Sequence, residues 1–238
     1  MQEILPVLEK WRIAEDCTPR QREQLAVYAG LLAEKNQVMN LTGITDPEGI
    51  ALRHFADSLA APALAAIPQG AKVVDVGTGA GFPGLVLAIA RPDIHVTLLD
   101  SQRKRLLFLE EVLAAAGIGN AVMSWSRAED AGRNAALRES FDVAVARAVA
   151  AMPVLAEYLA PLVRVGGRLL AWKGDAVREE WDAAQKALAR LGMEPPQALP
   201  YTLPGMEASL VIVSSRKTSP TPRAFPRKAG TPARSPLG

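Results

Sequence analysis

The chain has a single cysteine, Cys17, and only two histidines, His54 and His95. One thiol cannot form an internal disulfide, and this ligand set falls short of a structural zinc site, so no metal centre is expected and a reducing cytosol is the simplest compartment. Long apolar runs are also missing. Glu3, Pro6, Glu9 and Lys10 break up the stretch that a secretion signal would need, and the apolar segment from Ser58 to Ala71 is short and interrupted by Pro62 and Pro68. Export and membrane insertion are therefore not expected. No period of 20 to 50 residues recurs, which sets aside solenoids and propellers. Cys17 and the two histidines lie in separate regions, so neither a Ser/His/Asp nor a Cys/His constellation suggests itself.

The 238 residues are enough for one domain with trimmings, or two small ones, and 49% hydrophobic against 22% charged residues is ordinary globular usage. Charge is unevenly spread. Arg216, Lys217, Arg223, Arg227, Lys228 and Arg234 follow residue 213 with no acid among them, so a cationic tail adjoins a mildly acidic body. Such a tail suits phosphate neutralisation, or serves merely as a solvated solubility segment.

Three regions separate by composition. Residues 20–38 place Leu25, Tyr28, Leu31 and Leu32 at helical spacing behind Pro19, and a second helical stretch, IALRHFADSLAAPAL, follows possible caps at Thr45 and Asp46. From Lys72 onward, short β-rich runs at 73–76, 95–99, 121–125, 141–146, 168–172 and 209–214 alternate with helical segments, which predicts a doubly wound, mostly parallel α/β sheet. The first strand should be central, with a ligand beyond the carboxyl ends of the strands. Residues 216–238 are rich in Pro, Arg, Thr and Ser and should wrap the body or stay mobile. The expected organisation is a helical extension over 1–66, a Rossmann-like domain over 67–215 and a basic tail over 216–238.

The run VVDVGTGAGFPGL leaves the first strand and enters a helix. Gly77, Gly79 and Gly81 remove side chains where backbone must approach a ligand, and Pro83 is tolerated in a first helical turn. Glycines 79, 81 and 84 also fit G-x-G-x-x-G, so a nicotinamide-dependent oxidoreductase stands as a rival reading. Asp75 argues against it, since an anion beside the loop would repel a pyrophosphate and suit a cationic ligand such as S-adenosylmethionine; its alternative role is to cap the loop's own amides. Asp100, closing the second strand, can accept both ribose hydroxyls of an adenosine or simply cap the helix near Gln102. Arg127, Ala128, Glu129 and Asp130 offer an amide and carboxylates where an adenine ring would end, or form a solvated acidic turn. Arg147, at the end of the fourth strand, should either pair with a carboxylate such as Asp75 or face the ligand mouth, the latter being expected. Lys173 ends the fifth strand, poised for a phosphate or, as is commoner for a single lysine, simply solvated, and His54 with Asp57 could be partners near the cleft, although a lone histidine on a helix is more often structural. Arg103, Lys104 and Arg105 make a basic patch or decorate a solvent face.

These strings together resemble one family. NLTGI (40–44), RHFADSL (53–59), VDVGTGAGFPG (74–84), LLDSQRKRLLFLEEV (98–112), SRAED (126–130), ARAVA (146–150), VGGRLLAWKG (165–174) and TPRAFPRKAGTP (221–232) are similar to the bacterial small-subunit rRNA guanine-N7 methyltransferases, the glucose-inhibited division protein B family. The resemblance implies a class I methyltransferase fold and S-adenosylmethionine as methyl donor, leaving S-adenosylhomocysteine. It implies 16S ribosomal RNA or the small subunit as substrate, met by a cytoplasmic monomer. The cofactor contacts expected are Gly77, Gly79, Phe82, Asp100, Ser101, Gln102, Ala128, Glu129 and Arg147. Asn40, Lys173 and Arg227 are the candidates for holding RNA. Guanine N7 has a free lone pair and no proton to lose, so no catalytic acid or base is expected. A third reading is a non-catalytic RNA-binding module with a vestigial pocket.

Overall fold

The run KVVDV becomes the strand β1 (Lys72–Val76), and its near-continuous burial follows from its place in the sheet. In the computed structural model, which describes residues 4–206 and 209–238, β1 lies between and parallel to β2 (His95–Asp100) and β4 (Phe141–Arg147). β3 (Ala121–Trp125) forms one edge beside β2, and β5 (Val163–Gly174) continues the parallel set beyond β4. Two further strands, β6 (Gln197–Tyr201) and β7 (Leu210–Arg216), complete seven in the order β3-β2-β1-β4-β5-β7-β6, with β7 antiparallel to both neighbours. The parallel doubly wound core with a central first strand is as expected. β6 was not anticipated: Pro200 and its half-exposed residues hide it, and an edge strand tolerates a proline that a central one would not.

Alternation along β1 sends its side chains to two separate cores. Val73 joins the face covered by the helices α1 (Ile4–Lys10), α2 (Pro19–Met39), α5 (Gly84–Ala90) and α6 (Arg103–Ala116), whereas Val74 and Val76 join the face covered by α8 (Met152–Leu159) and α9 (Trp181–Arg190). Asp75 therefore points toward the α5 side.

The N-terminal helices are held to the sheet by specific polar contacts as well as packing. Thr18 and Gln21 make a reciprocal capping box at the start of α2, and the Gln21 amide also donates to the carbonyls of Ile89 and Ala90 at the end of α5. Gln24 donates to Ala116 O at the end of α6. The second helical stretch is broken rather than continuous: Asp46 caps the short α3 (Pro47–Gly49), a π-helical segment covers Ile50–Ala56, and α4 (Ala61–Ala66) follows Pro62's preferred place in a first turn. Residues 1–3 of the expected 1–66 segment, Glu3 included, lie outside the described residues.

The cationic C-terminal segment folds back over the α8/α9 face, and α7 (Ala128–Ala131) and α10 (Thr231–Arg234) sit where it packs. Lys217 is fully buried, donating to Thr221 Oγ1 and Ala160 O with Glu139 2.7 Å away. Arg227 grips the buried Glu157 through its backbone N–H, Nε and Nη2, the last at 2.6 Å. No described helix is long and apolar enough to cross a membrane. Arg227→Ala would strand the Glu157 carboxylate in the core, and urea titration should show a loss of about 3 kcal/mol; a loss below about 0.5 kcal/mol would mean the tail is only loosely attached.

Candidate functional site

The loop after β1 is shaped by two carboxylates. Asp75 is fully buried, and its Oδ2 accepts from Thr78 Oγ1 at 2.7 Å and from Gly84 N at 2.9 Å. Gly84 leaves room for this, since a Cβ there would sit 2.6 Å from Asp75. This corrects the expectation that Asp75 faces a cationic ligand: strand parity turns it beneath the loop, where it caps the loop's own groups. Burial pushes its carboxyl up to about 6, against the lowering effect of those hydrogen bonds and of Arg147.

Asp100 does the complementary work above. Its Oδ2 accepts from Gly79 N at 2.9 Å and its Oδ1 from Gln102 N at 2.8 Å, with Arg105 Nη1 3.4 Å away. It thereby ties the glycine loop to the start of α6. A carboxylate has about four lone-pair directions, so Asp100 keeps acceptor capacity toward the cavity it lines. That cavity, of about 260 Å³, opens at the carboxyl ends of β1 to β4 between Gly77, Asp100, Ser101, Arg127, Ala128 and Val149. Gly77 has φ +72°, and any Cβ there would meet Val149 at 2.8 Å.

The remaining candidates divide between this cavity and other places. Glu129 reaches the cavity wall, yet its Oε1 accepts from Gly230 N of the tail. Phe82 is buried behind the loop, stacked between Tyr28 at 5.3 Å and His54 at 4.3 Å. Tyr28 from α2 donates its hydroxyl proton to Ala80 O, so the helical extension holds the loop's back directly. Asn40 is the left-handed cap of α2 and is exposed. Lys173 donates to Ala150 O at 2.8 Å and Glu180 Oε2 at 3.3 Å, and Arg227 is engaged by Glu157. Both cations are thus spoken for within the protein. Among the described residues, no cluster of His, Cys, Asp and Glu is arranged to hold a metal ion.

Arg147 centres a second cluster beside the loop. Its Nη1 donates to Asp57 Oδ2 at 2.6 Å and to Arg53 O at 2.8 Å, its Nη2 lies 3.1 Å from His54 Nδ1, and the guanidinium sits 4.9 Å above Phe82. Its carboxylate partner is Asp57 and not Asp75. His54 Nδ1 also lies 3.1 Å from Arg53 O, and its Nε2 lies 2.8 Å from Thr42 Oγ1, so both ring nitrogens are engaged. Tyr201 donates to Asp57 Oδ1, and Trp172 Nε1 to Asp57 O at 2.8 Å. The π-helical segment is what brings Arg53 O, His54 and Asp57 to bear on one guanidinium. Thr42, Tyr28 and Tyr201 were not singled out as site residues from sequence; the NLTGI string marked Thr42's neighbourhood, but nothing local marks the two tyrosines.

The sequence profile of a family described as rRNA small subunit methyltransferase G matches residues 21–202. A ribosomal RNA small subunit methyltransferase G of Symbiobacterium thermophilum is 49% identical over 90% of this chain and 89% of its own. The namesake from Roseiflexus castenholzii is 42% identical over the full length of both. Among solved structures, a mutant 16S rRNA (adenine(1408)-N(1))-methyltransferase with cosubstrate SAM from Catenulisporales acidiphilia superposes with TM-score 0.53 at 19% identity, over 70% of this chain and 93% of that one, a likeness of fold.

Burial, and then the charge of Arg147, push His54 down to about 4 from 6.5. The unfolded chain therefore binds the proton first as pH falls, so stability contributed by neutral His54 is present above about 6.5 and lost toward 4. Asp75, raised, acts in the opposite sense over part of that window, so the comparison must be with a variant. Relative to His54→Gln, the wild type should lose up to about 3 kcal/mol more between pH 6.5 and 4 in denaturant titrations. A constant difference across that range would show His54 titrating as in water.

Proposed function

The chain belongs to the rRNA small subunit methyltransferase G family, and on that premise we propose that it transfers a methyl group from S-adenosylmethionine to N7 of one guanine in 16S ribosomal RNA, as a cytoplasmic monomer. The observation that carries this reading is the cavity at the strand ends with Asp100 on its wall and Asp75 on the amide of Gly84. A dinucleotide would place its pyrophosphate on that helix N-terminus, where the Asp75 carboxylate already sits. S-adenosylmethionine has no pyrophosphate to place there, and Asp100 offers an acceptor for its ribose, so the residues present suit it and disfavour the oxidoreductase reading.

When bound, this cosubstrate supplies an electrophilic methyl on a sulfonium. Guanine N7 would take that methyl with its own free lone pair, the carbon–sulfur bond electrons staying with sulfur. No proton moves, so the protein's task is alignment. Asp100 accepts from the ribose hydroxyls while its two amide contacts keep the loop in register. Gly77 lets the backbone approach, and Ser101, Gln102, Ala128 and Glu129 border the adenine end. Phe82 and Arg147 act from behind, as the support on which the loop rests. The proposed division of labour gives the extension over 1–66 the positioning of the loop, residues 67–215 the chemistry, and 216–238 the closure of the α8/α9 face.

Incubation with methyl-labelled cosubstrate and small subunits, followed by mapping, should place the label on N7 of one guanine of 16S RNA; label on another base would overturn the reading. Asp100→Ala should weaken S-adenosylhomocysteine binding about tenfold to a hundredfold by calorimetry, the loss of one charge-assisted hydrogen bond or more. An unchanged affinity would remove Asp100 from the site.

A further inference from the structure

The basic stretch Arg103-Lys104-Arg105 is not accounted for by the cofactor cavity alone. Trp125, at the end of the edge strand β3, is 64% exposed, an unusual place for the largest side chain. The ring is nevertheless held: its Nε1–H donates to Ser101 O at 3.1 Å, and the Arg103 guanidinium lies 5.6 Å from its centroid. With that cation already in place the ring still keeps most of its surface open. Ser101, Arg105 and Arg127 line the cavity, so the platform stands at its rim. The charge around it is one-sided. Arg103 and Lys104 are exposed, as is Arg127, whose Nε lies 3.6 Å from Glu129 Oε2, while Asp100 and Glu129 are turned inward at 3% and 2% exposure; Asp130 is the exposed acid beside them.

A fixed aromatic face flanked by guanidinium groups is the chemistry that recognises an unpaired nucleobase: the ring stacks on the base and the cations meet the adjoining phosphates. We infer that Trp125 and Arg103 form a stacking platform for an unpaired nucleotide of the ribosomal RNA substrate, outside the cofactor cavity. The inference rests on the rRNA methyltransferase reading. It gives the basic stretch a purpose, and it moves the RNA contacts away from Lys173 and Arg227, whose charges are met internally.

The test measures binding of 16S ribosomal RNA by the full-length protein and, separately, binding of S-adenosylhomocysteine. Trp125→Ala should weaken RNA binding roughly fivefold to a hundredfold, the worth of one base–aromatic stack, while Trp125→Phe stays within about threefold of wild type. Arg103→Ala should lower the slope of log affinity against log salt by roughly one counterion. All three should bind S-adenosylhomocysteine as the wild type does. RNA affinity unchanged in Trp125→Ala would overturn the inference. So would a parallel loss of S-adenosylhomocysteine affinity, which would make the ring a cover for the adenine, and so would a loss seen with intact small subunits but not with naked RNA, which would make it a contact to a ribosomal protein. If wild-type protein neither binds nor methylates 16S RNA, the functional reading fails and the platform with it; if it does both and Trp125→Ala matches it, the platform alone fails.

Discussion

The ion pair between Arg147 and Asp57 is the constraint on which the site depends. It joins a side chain at the end of β4 to one just past the π-helical segment, 90 residues earlier, at 2.6 Å, with both side chains largely buried. Two charges removed from water are tolerable only if their buried polar atoms find partners, and among the described residues neither side chain has a buried one without: Arg53 O takes a further guanidinium proton, His54 Nδ1 lies 3.1 Å from Nη2, and Tyr201 donates to the second oxygen of Asp57. Elements from the extension, β4 and β6 thus meet at one point, and Trp172 of β5 fastens the backbone of Asp57 to them.

Beneath this pair lies Phe82, and beneath Phe82 lies Tyr28. The stack transmits the position of the extension to the glycine loop, because Tyr28 also holds Ala80 O. On the cavity side the same loop is tied by Asp100, and underneath by Asp75. Three anchors from three directions fix a segment whose glycines would otherwise leave it free. A reaction that requires alignment and no proton transfer is served by such rigidity.

Much of this was legible in the residues. The alternation of β-rich and helical runs predicted the sheet, and the glycines with Asp100 predicted where the ligand cavity would open, because strand, loop and helix there are contiguous in sequence. What was not legible depends on distant partners. Arg147 could be seen to need a carboxylate, but only the fold selects Asp57 over Asp75. The parity of β1 buries Asp75, a fact that the loop motif does not reveal. The tail's cations read as available for RNA, whereas Lys217 and Arg227 find Glu139 and Glu157 on the body. The π-helical segment was read as part of an ordinary helix, since its extra residue shows only in where Arg53 O, His54 and Asp57 converge.

A double-mutant cycle on Asp57→Ala and Arg147→Ala addresses the central claim most directly, with unfolding free energy as the readout. If the pair is the joint between extension and core, the two losses should overlap, leaving a coupling of about 2 kcal/mol or more. Losses that add to within about 0.5 kcal/mol would contradict the account, showing that the two residues stabilise the protein independently.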